Sequence, residues 1–471
     1  MNITSLIQNC LALLPAPNVS STESVAIGKQ PKRKLVLAYS GGVDSEILAY
    51  GLGQFAQINS AYECLLVHVH HGLSTNANSW VDHCLLQAKS YNLPCVIKYV
   101  QVNLAPRTSI EAEARNVRYQ ALLAELSVND ILMTAHHQDD QLETVLLALK
   151  RGLGPKGLSA MGKVQRVNQQ QWLVRPLLDC SKDQIEGYAA QHNIGHIQDE
   201  SNFDGKYDRN FLRLDIIPKL KQRWSAIAAT ASRSAELCAL QQSVLEEETV
   251  KRLPQVQKLI GVDNVLEVIK LATFSNAWQS LLLRGHMEQL GFAPPSKIQG
   301  EQILSQLLDA KEDANIEVRL ADVVIRRFKN NAYFLAESIH SLKPLHKVEM
   351  LEEIKLDEVI HNGIDLPSGQ RLLGKYIAAD LEPLLRLPLP TELVSIVYAL
   401  PGSTRSHPHF RSKGRELKKI WQELELPPWK RGHVPLLCYN GKLVAAIGFW
   451  IEKSAIATSG ETGLALSLNN T

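Results

Sequence analysis

The chain has 471 residues, of which 45% are hydrophobic and 21% are charged, so it can build more than one hydrophobic core. Its 50 lysines and arginines nearly balance 48 aspartates and glutamates, and the formal net charge of +2 excludes a uniformly basic nucleic-acid coat. Seven cysteines without a C-x-x-C pair argue against a disulfide framework and against a zinc or iron–sulfur cage. No targeting segment is apparent, and no apolar run approaches the roughly 20 residues of a membrane span, so we expect a cytoplasmic protein with no membrane partner.

The first half of the chain alternates short apolar runs with segments in which apolar residues recur at helical spacing. Strands are predicted at residues 35–39, 64–67, 95–100 and 130–134, and helices at 43–52, 80–90 and 110–126. This alternation is typical of an α/β fold built on a parallel sheet. Active groups in such folds gather beyond the carboxyl ends of the strands, so the motifs that follow the strands are the functional candidates.

Beyond about residue 223 the pattern changes to long helical stretches without strands, followed by a hairpin-like pair of runs at 316–320 and 323–325. The end of the chain carries short strands, a helix at about 416–424 and an apolar run at 443–451. We therefore predict an α/β domain, a mainly helical middle domain, an acid-leaning connector and a small α+β domain. Their predicted bounds are 1–222, 223–345, 346–388 and 389–471.

The loop after the first predicted strand has the residue types of a phosphate-binding turn. It consists of Ser40, Gly41, Gly42, Val43, Asp44 and Ser45. Two glycines let backbone N–H groups approach an anion, and the start of the following helix adds the positive end of its dipole. The alternative is an ordinary turn with an Asp or Ser cap, but the residue types and their context favour a phosphate cradle. No lysine follows the second glycine, so the P-loop pattern and cleavage between the β- and γ-phosphates are not indicated.

A second motif follows the fourth predicted strand. On helical spacing His136, Asp140 and Glu143 share one face, and the opposite, apolar face is expected to pack on the sheet. That apolar face consists of Leu142, Val145, Leu146 and Leu149. A histidine and an acid pair facing a nucleotide would suit Mg²⁺ binding and proton handling, whereas the alternative is an acidic cluster that complements the helix dipole. Asp139 points between the two faces, so Asp140 is the preferred metal ligand.

Two further motifs offer polar side chains to the same sheet edge. The histidines His68, His70 and His71 end a predicted strand, and because their spacing fits no zinc site, we interpret them as lining a nucleotide pocket. Arg115 follows Glu111 at an i, i+4 interval on a predicted helix. This spacing fits either a solvated ion pair or an arginine that clamps phosphate.

The segment from 401 to 435 carries eight basic residues against three acidic ones. The basic residues are Arg405, Arg411, Lys413, Arg415, Lys418, Lys419, Lys430 and Arg431. Phe410, Trp421 and Trp429 lie among them, a combination that favours phosphate contacts and base stacking on RNA. The alternative is a solvated face on a small core that buries the tryptophans.

Several motifs occur together in one order along the chain. They lie at residues 40–45, 68–74, 111–115, 136–144, 151–154 and 199–213. Together they resemble the tRNA(Ile)-lysidine synthetase family, whose members are ATP pyrophosphatases with a PP-loop. The resemblance covers about the first 220 residues well and the middle weakly, and it resumes at 414–419 and 428–431. It implies an N-type ATP pyrophosphatase fold, similar to the adenine nucleotide alpha hydrolases, in the first domain.

The resemblance implies a two-step ligase reaction with ATP and Mg²⁺ as cofactors. The C2 carbonyl oxygen of the wobble cytidine in the CAU-anticodon isoleucine tRNA attacks the α-phosphorus of ATP and releases pyrophosphate. The amine of L-lysine then displaces AMP and gives lysidine. In this family the C-terminal region resembles a tRNA-recognition domain, and the resemblance leaves open whether a homodimer forms.

The resemblance also suggests roles for individual residues. Asp44 and Asp140 are the expected metal-proximal pair, and the loop 40–45 with His70 is expected to bind the nucleotide. His136 and Glu143 are candidates for lysine binding or proton transfer. Arg115 and Arg209 are candidates for contacts with the phosphates or the base.

Two other functions remain open on the sequence alone. A different adenylating enzyme of the same loop class, such as a tRNA base thiolase, would share the loop, although thiolases that use an iron–sulfur cluster need paired cysteines. A non-catalytic RNA-binding protein on the same fold would show a broken acidic set, whereas Asp44, Asp140 and Glu143 are all present.

Overall fold

The computed structural model describes most of the chain. The described residues are 1–15, 32–72, 74–102, 110–168, 171–198, 200, 206–311, 314, 316–337, 354–367, 369–378 and 383–470. Parts of the motifs at 68–74 and 199–213 and of the predicted connector lie outside these residues. The chain divides into two compact units, Met1–Glu248 and Thr249–Thr471.

A six-stranded sheet forms the centre of the first unit. Its strands are β1 (Arg33–Ala38), β2 (Tyr62–His70), β3 (Cys95–Tyr99), β4 (Ile131–Met133), β5 (Val164–Arg166) and β6 (Trp172–Val174). The strand order is β3-β2-β1-β4-β6-β5; all neighbours are parallel except the β5–β6 pair. The predicted parallel α/β fold is thus confirmed. Because chain order reverses beside β1, the segments that follow β1, β2 and β4 meet at one edge of the sheet.

Helices cover this sheet and extend the first unit. They are α1 (Ile3–Ala12), α2 (Val43–Ile58), α3 (Ala77–Ser90), α4 (Ile110–Leu123), α5 (Gln138–Lys150), α6 (Pro155–Leu158), α7 (Lys182–Gln191), α8 (Asp208–Phe211), a π-helical turn (Leu212–Ile216), α9 (Ile217–Arg223) and α10 (Ile227–Val256). Leu35, Leu37 and Ile47 are fully buried in the main core, where the apolar face of α2 packs on β1. The predicted helices at 43–52, 80–90 and 110–126 correspond to α2, α3 and α4.

Helix α5 differs from its predicted phase and packing. It begins at Gln138 with His137 as its N-cap, so His136 lies before the helix and not on its face. Leu142 is buried against Ile217 and Ala228 and not against the sheet, as the spacing predicted. Leu149 is 58% exposed. Helix α5 packs beside α9 and α10, which follow the sheet in the chain. Its acidic first turn, with Asp139 and Asp140, is also buried.

The middle of the chain combines helices with an antiparallel sheet. Its elements are β7 (Gln257–Ile260), β8 (Asp263–Glu267), α11 (Val268–Ala272), α12 (Asn276–Gln289), α13 (Lys297–Asp309), β9 (Glu317–Arg319), β10 (Val323–Phe328) and β11 (Asn331–Ala336). The order β7-β8-β11-β10-β9 includes the predicted hairpin as β9 and β10. The spacing missed β7 and β8, which form a hairpin through Gly261 directly after a 30-residue helix.

Short strands dominate the remainder of the second unit. They and their helices are α14 (Leu356–His361), β12 (Ile364–Asp365), β13 (Gln370–Ala378), β14 (Leu385–Arg386), β15 (Val394–Val397), β16 (Arg405–Ser406), β17 (Arg415–Glu416), α15 (Leu417–Glu423), α16 (Pro428–Arg431), β18 (Leu436–Tyr439), β19 (Lys442–Ala446), β20 (Trp450–Ile451), a 3₁₀ turn (Lys453–Ala455) and β21 (Thr462–Asn470). Two four-stranded sheets result, with orders β12-β13-β21-β14 and β15-β18-β19-β20. The predicted connector therefore contributes β12 and β13 to a sheet. No helix in the described residues has the length and apolarity that a membrane crossing requires.

Candidate active site

A cavity of about 560 Å³ opens at the carboxyl ends of β1, β2 and β4. Most of the predicted site residues of the first domain line it. These are Ser40, Gly42, Val43, Asp44, Ser45, His70, His136 and Asp140. The sheet topology thus brings together three motifs that are separated by up to a hundred residues in the chain, as the reversal of strand order beside β1 predicts.

The loop 40–45 connects β1 to α2 and is supported from behind by Ile197. Gly41 has φ +81°, and a Cβ at this position would lie 2.4 Å from Cδ1 of Ile197. The backbone N–H of Ile197 donates to the carbonyl of Gly41 at 2.8 Å. Gly42 is the N-cap of α2, and no side chain caps the first turn. Its backbone N–H groups can therefore bind an anion.

Asp44 and Asp140 both lie near the Nε2 atom of His137. This atom is 3.7 Å from Oδ1 of Asp44 and 3.6 Å from Oδ2 of Asp140. The Nδ1 atom of His137 accepts a hydrogen bond from the backbone N–H of Asp139, so a neutral ring carries its proton on Nε2, toward the two carboxylates. Lys182 on α7 donates to Oδ1 of Asp44 at 2.8 Å. The expected metal-proximal acids are therefore neighbours, and Lys182 adds a cation beside Asp44.

Asp140 also caps the start of α5. Its Oδ2 accepts the backbone N–H of His137 at 2.9 Å and closes the capping box of α5. Burial acts to raise the pKa of Asp140, but His137, His136 and Arg209 outweigh it, so the net direction is downward and the carboxylate is charged. Asp139 does not cap; its Oδ2 contacts Nζ of Lys221 at 2.5 Å.

His136 is a neutral group at the cavity wall. Its Nδ1 atom pairs with the hydroxyl of Thr134 at 2.8 Å. Burial lowers the pKa of His136 to about 3, although the nearby Asp140 carboxylate opposes this effect. A neutral imidazole with this pKa is a weak base. The arrangement favours hydrogen bonding over the proton transfer that the sequence allowed.

Glu143 holds two arginines in place. Its side chain is 1% exposed. Its Oε2 accepts from Nε of Arg209 at 2.7 Å, and its Oε1 accepts from Nε of Arg213 at 2.7 Å. Nη2 of Arg213 donates to Oε2 of Glu143 at 3.0 Å and to Oδ1 of Asp140 at 3.3 Å. Both oxygens of Glu143 are occupied, which argues against the expected contact with lysine.

The arginines are arranged differently from the sequence-based expectation. Arg213 lies on the π-helical turn and lines the cavity, whereas Arg209 reaches the site through Glu143. On α4 it is Arg118 that lines the cavity. Arg115 is exposed and places its guanidinium 5.3 Å from the ring centre of Tyr119. The side chain of Glu111 lies outside the described residues, so the predicted ion pair is not described.

The basic segment of the second unit carries its own acidic partners. Arg411 and Arg415 both bond to Glu423. The ion pairs of Glu416 are with Lys418 at 3.3 Å and Lys419 at 3.7 Å. Lys413 has no ion-pair partner among the described residues. Exposed pairs of this kind contribute little to stability, so RNA phosphates can compete for the cations.

The aromatic and basic residues at 421–431 make their contacts within the second unit. Trp421 is 4% exposed, and its ring centre lies 4.7 Å from that of Trp450 at an interplanar angle of 55°. Trp429 packs edge-on against Tyr333 at 5.5 Å, and the neighbouring Lys430 pairs with Asp263. Both tryptophans therefore follow the core alternative and not the stacking expectation. Of the three aromatic residues, Phe410 remains exposed, at 49%. Arg431 donates to the carbonyl of Leu426 within the chain.

The described residues contain no group of three or more His, Cys, Asp or Glu side chains arranged to hold a metal ion. Two carboxylates, Asp44 of the phosphate loop and Asp140 of α5, nevertheless both approach Nε2 of His137, at 3.7 and 3.6 Å. Mg²⁺ commonly uses one or two carboxylates and completes its shell with water and substrate phosphates. The residues present therefore fit a magnesium ion that binds together with a nucleotide and do not form a cage of their own.

Several site residues have no clear signal in the sequence. Lys182 contacts Asp44 across 138 positions of the chain, and Ile197 supports the loop from a segment without a recognisable motif. Arg213 lies in the motif at 199–213, and Arg118 lies on the same predicted helix as Arg115, but spacing does not distinguish them from Arg209 and Arg115.

Three family profiles match the chain, in the order of its structural parts. The PP-loop domain matches residues 16–220, the TilS substrate binding domain matches 266–333, and the TilS substrate C-terminal domain matches 394–468. The first of these contains the cavity.

Curated relatives match over nearly the whole chain. A tRNA(Ile)-lysidine synthase from Shewanella woodyi is 54% identical over 437 residues, which are 92% of this chain and 93% of the relative. The tRNA(Ile)-lysidine synthase of Shewanella oneidensis is 49% identical over 94% of this chain and 96% of its own length. The protein of that name from Escherichia coli O157:H7 is 38% identical over 92% of this chain and 95% of its own length.

Proposed function

Because the chain belongs to the tRNA(Ile)-lysidine synthase family, we propose that it uses ATP to ligate L-lysine to C2 of the wobble cytidine in the CAU-anticodon isoleucine tRNA. The observation that carries the proposal is the cavity in which Asp44 of the loop 40–45 and Asp140 of α5 lie together. The products are lysidine, AMP and pyrophosphate. The site of the reaction in the cell is the cytoplasm, where we expect its tRNA substrate.

The first step forms a bond between the C2 oxygen of cytidine and the α-phosphorus of ATP, and the bond from that phosphorus to the pyrophosphate oxygen breaks. The uncapped first turn of α2 and the flexible backbone at Gly41 suit the binding of the phosphates. In the second step an amine of lysine attacks C2, and AMP leaves with the oxygen. An amide-like carbonyl becomes a good electrophile only once its oxygen is a phosphate ester, so the order of the steps follows from the chemistry.

Positive charge beside the loop stabilises the departing pyrophosphate. Asp44 and Asp140 would hold Mg²⁺, which when bound neutralises part of the phosphate charge. Lys182 and Arg213 supply cations from this chain, and both line the cavity. Glu143 keeps Arg213 in position. His70, whose Nε2 atom is buried with no hydrogen-bond partner among the residues that the structure describes, is placed to contact the nucleotide.

For the tRNA, we assign the phosphate contacts to five cations in and around β17 and α15. These are Arg411, Lys413, Arg415, Lys418 and Lys419. Lys430 and Arg431 are weaker candidates, because Lys430 pairs with Asp263 of the middle part and Arg431 donates to a backbone carbonyl, whereas the pairs of the other cations are with glutamates of the same segment. The predicted roles of residues 1–222 in catalysis, 223–345 in substrate binding and 389–471 in tRNA recognition remain part of this proposal, and so does a homodimer.

The test is incubation of the protein with ATP, Mg²⁺, labelled lysine and bulk tRNA, followed by nucleoside analysis of the RNA. We expect label in lysidine, together with AMP and pyrophosphate, and none of these when tRNA or Mg²⁺ is omitted. The matched control is Asp44→Asn, which should fold normally and lose adenylation by a factor on the order of hundreds. Release of ADP and phosphate, or a thiolated base in place of lysidine, would contradict the proposal.

A further inference from the structure

A buried carboxylate lies directly behind the phosphate loop. Glu46 is on the first turn of α2, one residue after the loop ends, and its exposure is 0%. Its Oε1 accepts from the hydroxyl of Tyr39 at 2.6 Å and from Nε2 of His83 at 2.9 Å. Its Oε2 accepts from the hydroxyl of Tyr91 at 2.9 Å. Burying a carboxylate is costly unless donors surround it, and here three donors converge on one group that does not line the cavity.

The Tyr39–Glu46 hydrogen bond joins the two ends of the loop. Tyr39 is the last residue before Ser40, and Glu46 is the first after Ser45. Tyr39 is itself fixed at its backbone, because its N–H donates to the carbonyl of Val67 at 2.9 Å and its carbonyl pairs with Nδ1 of His68 at 3.0 Å. The six loop residues are therefore enclosed by a hydrogen bond whose one end is anchored to β2.

The other two donors tie the same carboxylate to a different part of the fold. His83 lies on α3, and Tyr91 is the residue that ends this helix. Their bonds to Glu46 attach α2 to α3 and do not span the loop. Burial raises the pKa of Glu46, and the three donors act in the opposite direction. One carboxylate thus receives two similar tyrosine bonds, of which only one spans the loop.

We propose that Glu46 and Tyr39 are positioning residues for the loop 40–45, holding its ends at the separation that fits the phosphates of ATP. This inference rests on the proposed function, since it assigns the loop to ATP. Glu46 lies outside the cavity, and Tyr39 lines it but bonds its hydroxyl to Glu46. The two residues act by fixing where the N–H groups of the loop point, so their removal weakens phosphate binding first.

The two tyrosines provide a matched pair of variants. Tyr39→Phe and Tyr91→Phe each remove one hydroxyl bond to the same carboxylate. A bond to a charged group is worth enough to change affinity about tenfold. We expect Tyr39→Phe to raise the KM for ATP by roughly tenfold, with a smaller change in kcat and unchanged KM values for lysine and tRNA. Tyr91→Phe should change the KM for ATP by less than about twofold, although both variants lower Tm.

Binding of ATP and of inorganic pyrophosphate, measured by calorimetry without tRNA, separates this inference from the proposed function. If the wild type binds both ligands but makes no lysidine, the function is wrong, and the comparison of the tyrosine variants still decides the inference. If the wild type makes lysidine and the two variants bind ATP equally well, Glu46 and Tyr39 serve stability alone and the inference is wrong.

Rescue by a conservative variant gives a second readout. Glu46→Gln keeps an oxygen for Tyr39 and can donate to the oxygen of Tyr91. It should keep most of the ATP affinity, whereas Glu46→Ala should lose as much as Tyr39→Phe or more. If Glu46→Ala does not fold, the tyrosine pair still decides. Wild-type affinity in a folded Glu46→Ala variant would overturn the inference.

Discussion

Replacing Glu143 with glutamine tests whether this carboxylate supports two arginines or binds a substrate amine. In the structure its two oxygens accept bonds from Arg209 and Arg213 at 2.7 to 3.0 Å. Glutamine keeps the volume but removes the charge, and it turns an NH₂ group toward a guanidinium that can only donate. We expect loss of stability together with loss of ATP-dependent turnover.

The size of the stability loss follows from the exposure of the partners. Breaking a buried ion pair costs about 3–5 kcal/mol. The side chains of Arg209 and Arg213 are 24% and 38% exposed, so water screens part of the cost. We expect the free energy of unfolding to fall by about 2 kcal/mol, which for a unit of this size lowers Tm by roughly 4–8 °C.

Thermal unfolding and steady-state kinetics check this result. The control is Asp208→Asn, which removes the exposed pair of Asp208 with Lys150, whose side chains are 59% and 60% exposed, and should leave Tm nearly unchanged. Glu143→Gln should impair kcat or the KM for ATP and leave the KM for lysine unchanged. An unchanged Tm with a selective rise in the KM for lysine would show that Glu143 does not support the two arginines. It would restore the interpretation that Glu143 binds lysine.

Three further outcomes follow from the structure. Asp140→Asn should abolish AMP formation, whereas Asp139→Asn should keep turnover within a few-fold. The loss of the Asp139 pair with Lys221 should lower the free energy of unfolding by about 1–2 kcal/mol. Equal losses of activity in the two variants would contradict the different placement of the two acids. Gly41→Ala should weaken ATP binding in calorimetry by at least about tenfold, because its Cβ has no room and its φ is positive, and wild-type affinity would contradict this. Deleting the chain from residue 354, before both C-terminal sheets, should weaken tRNA binding. The slope of the logarithm of the binding constant against the logarithm of salt concentration should become shallower by about 0.7–0.9 per lost phosphate contact. Unchanged affinity in filter binding would place tRNA recognition elsewhere in the chain.

Local patterns were sufficient to predict four of the six strands in the sheet of the first unit and the position of its loop. An apolar run, two glycines and a helical period lie within twenty residues, and each is read from neighbouring positions. The same reasoning began the next helix at His136, two residues too early, because the helix begins after a histidine cap that pairs with Asp140. A histidine is an uncommon N-cap, so the spacing alone gave no reason to begin the helix after it.

Long-range partners could not be predicted. Whether Glu143 faces a ligand or two arginines depends on a turn some seventy residues later. The basic segment looked available for RNA because composition counts charges without their partners, yet Arg411 and Arg415 share Glu423. Trp421 and Trp429 are tryptophans, a residue type that occurs both in protein cores and on surfaces that stack on bases. Only tertiary packing distinguishes a core tryptophan from an exposed one.

The pairing of β13 with β21 has a consequence for biosynthesis. Gln370 pairs with Asn470, a hundred positions later in the chain. Strand β13 therefore leaves the ribosome well before its partner and waits with an unpaired edge, at synthesis rates of about 5–20 residues per second, for several seconds or longer. During that time the exposed edge can pair with another nascent chain. The second compact unit is thus the part of the chain whose yield should depend most on temperature, translation speed and chaperones.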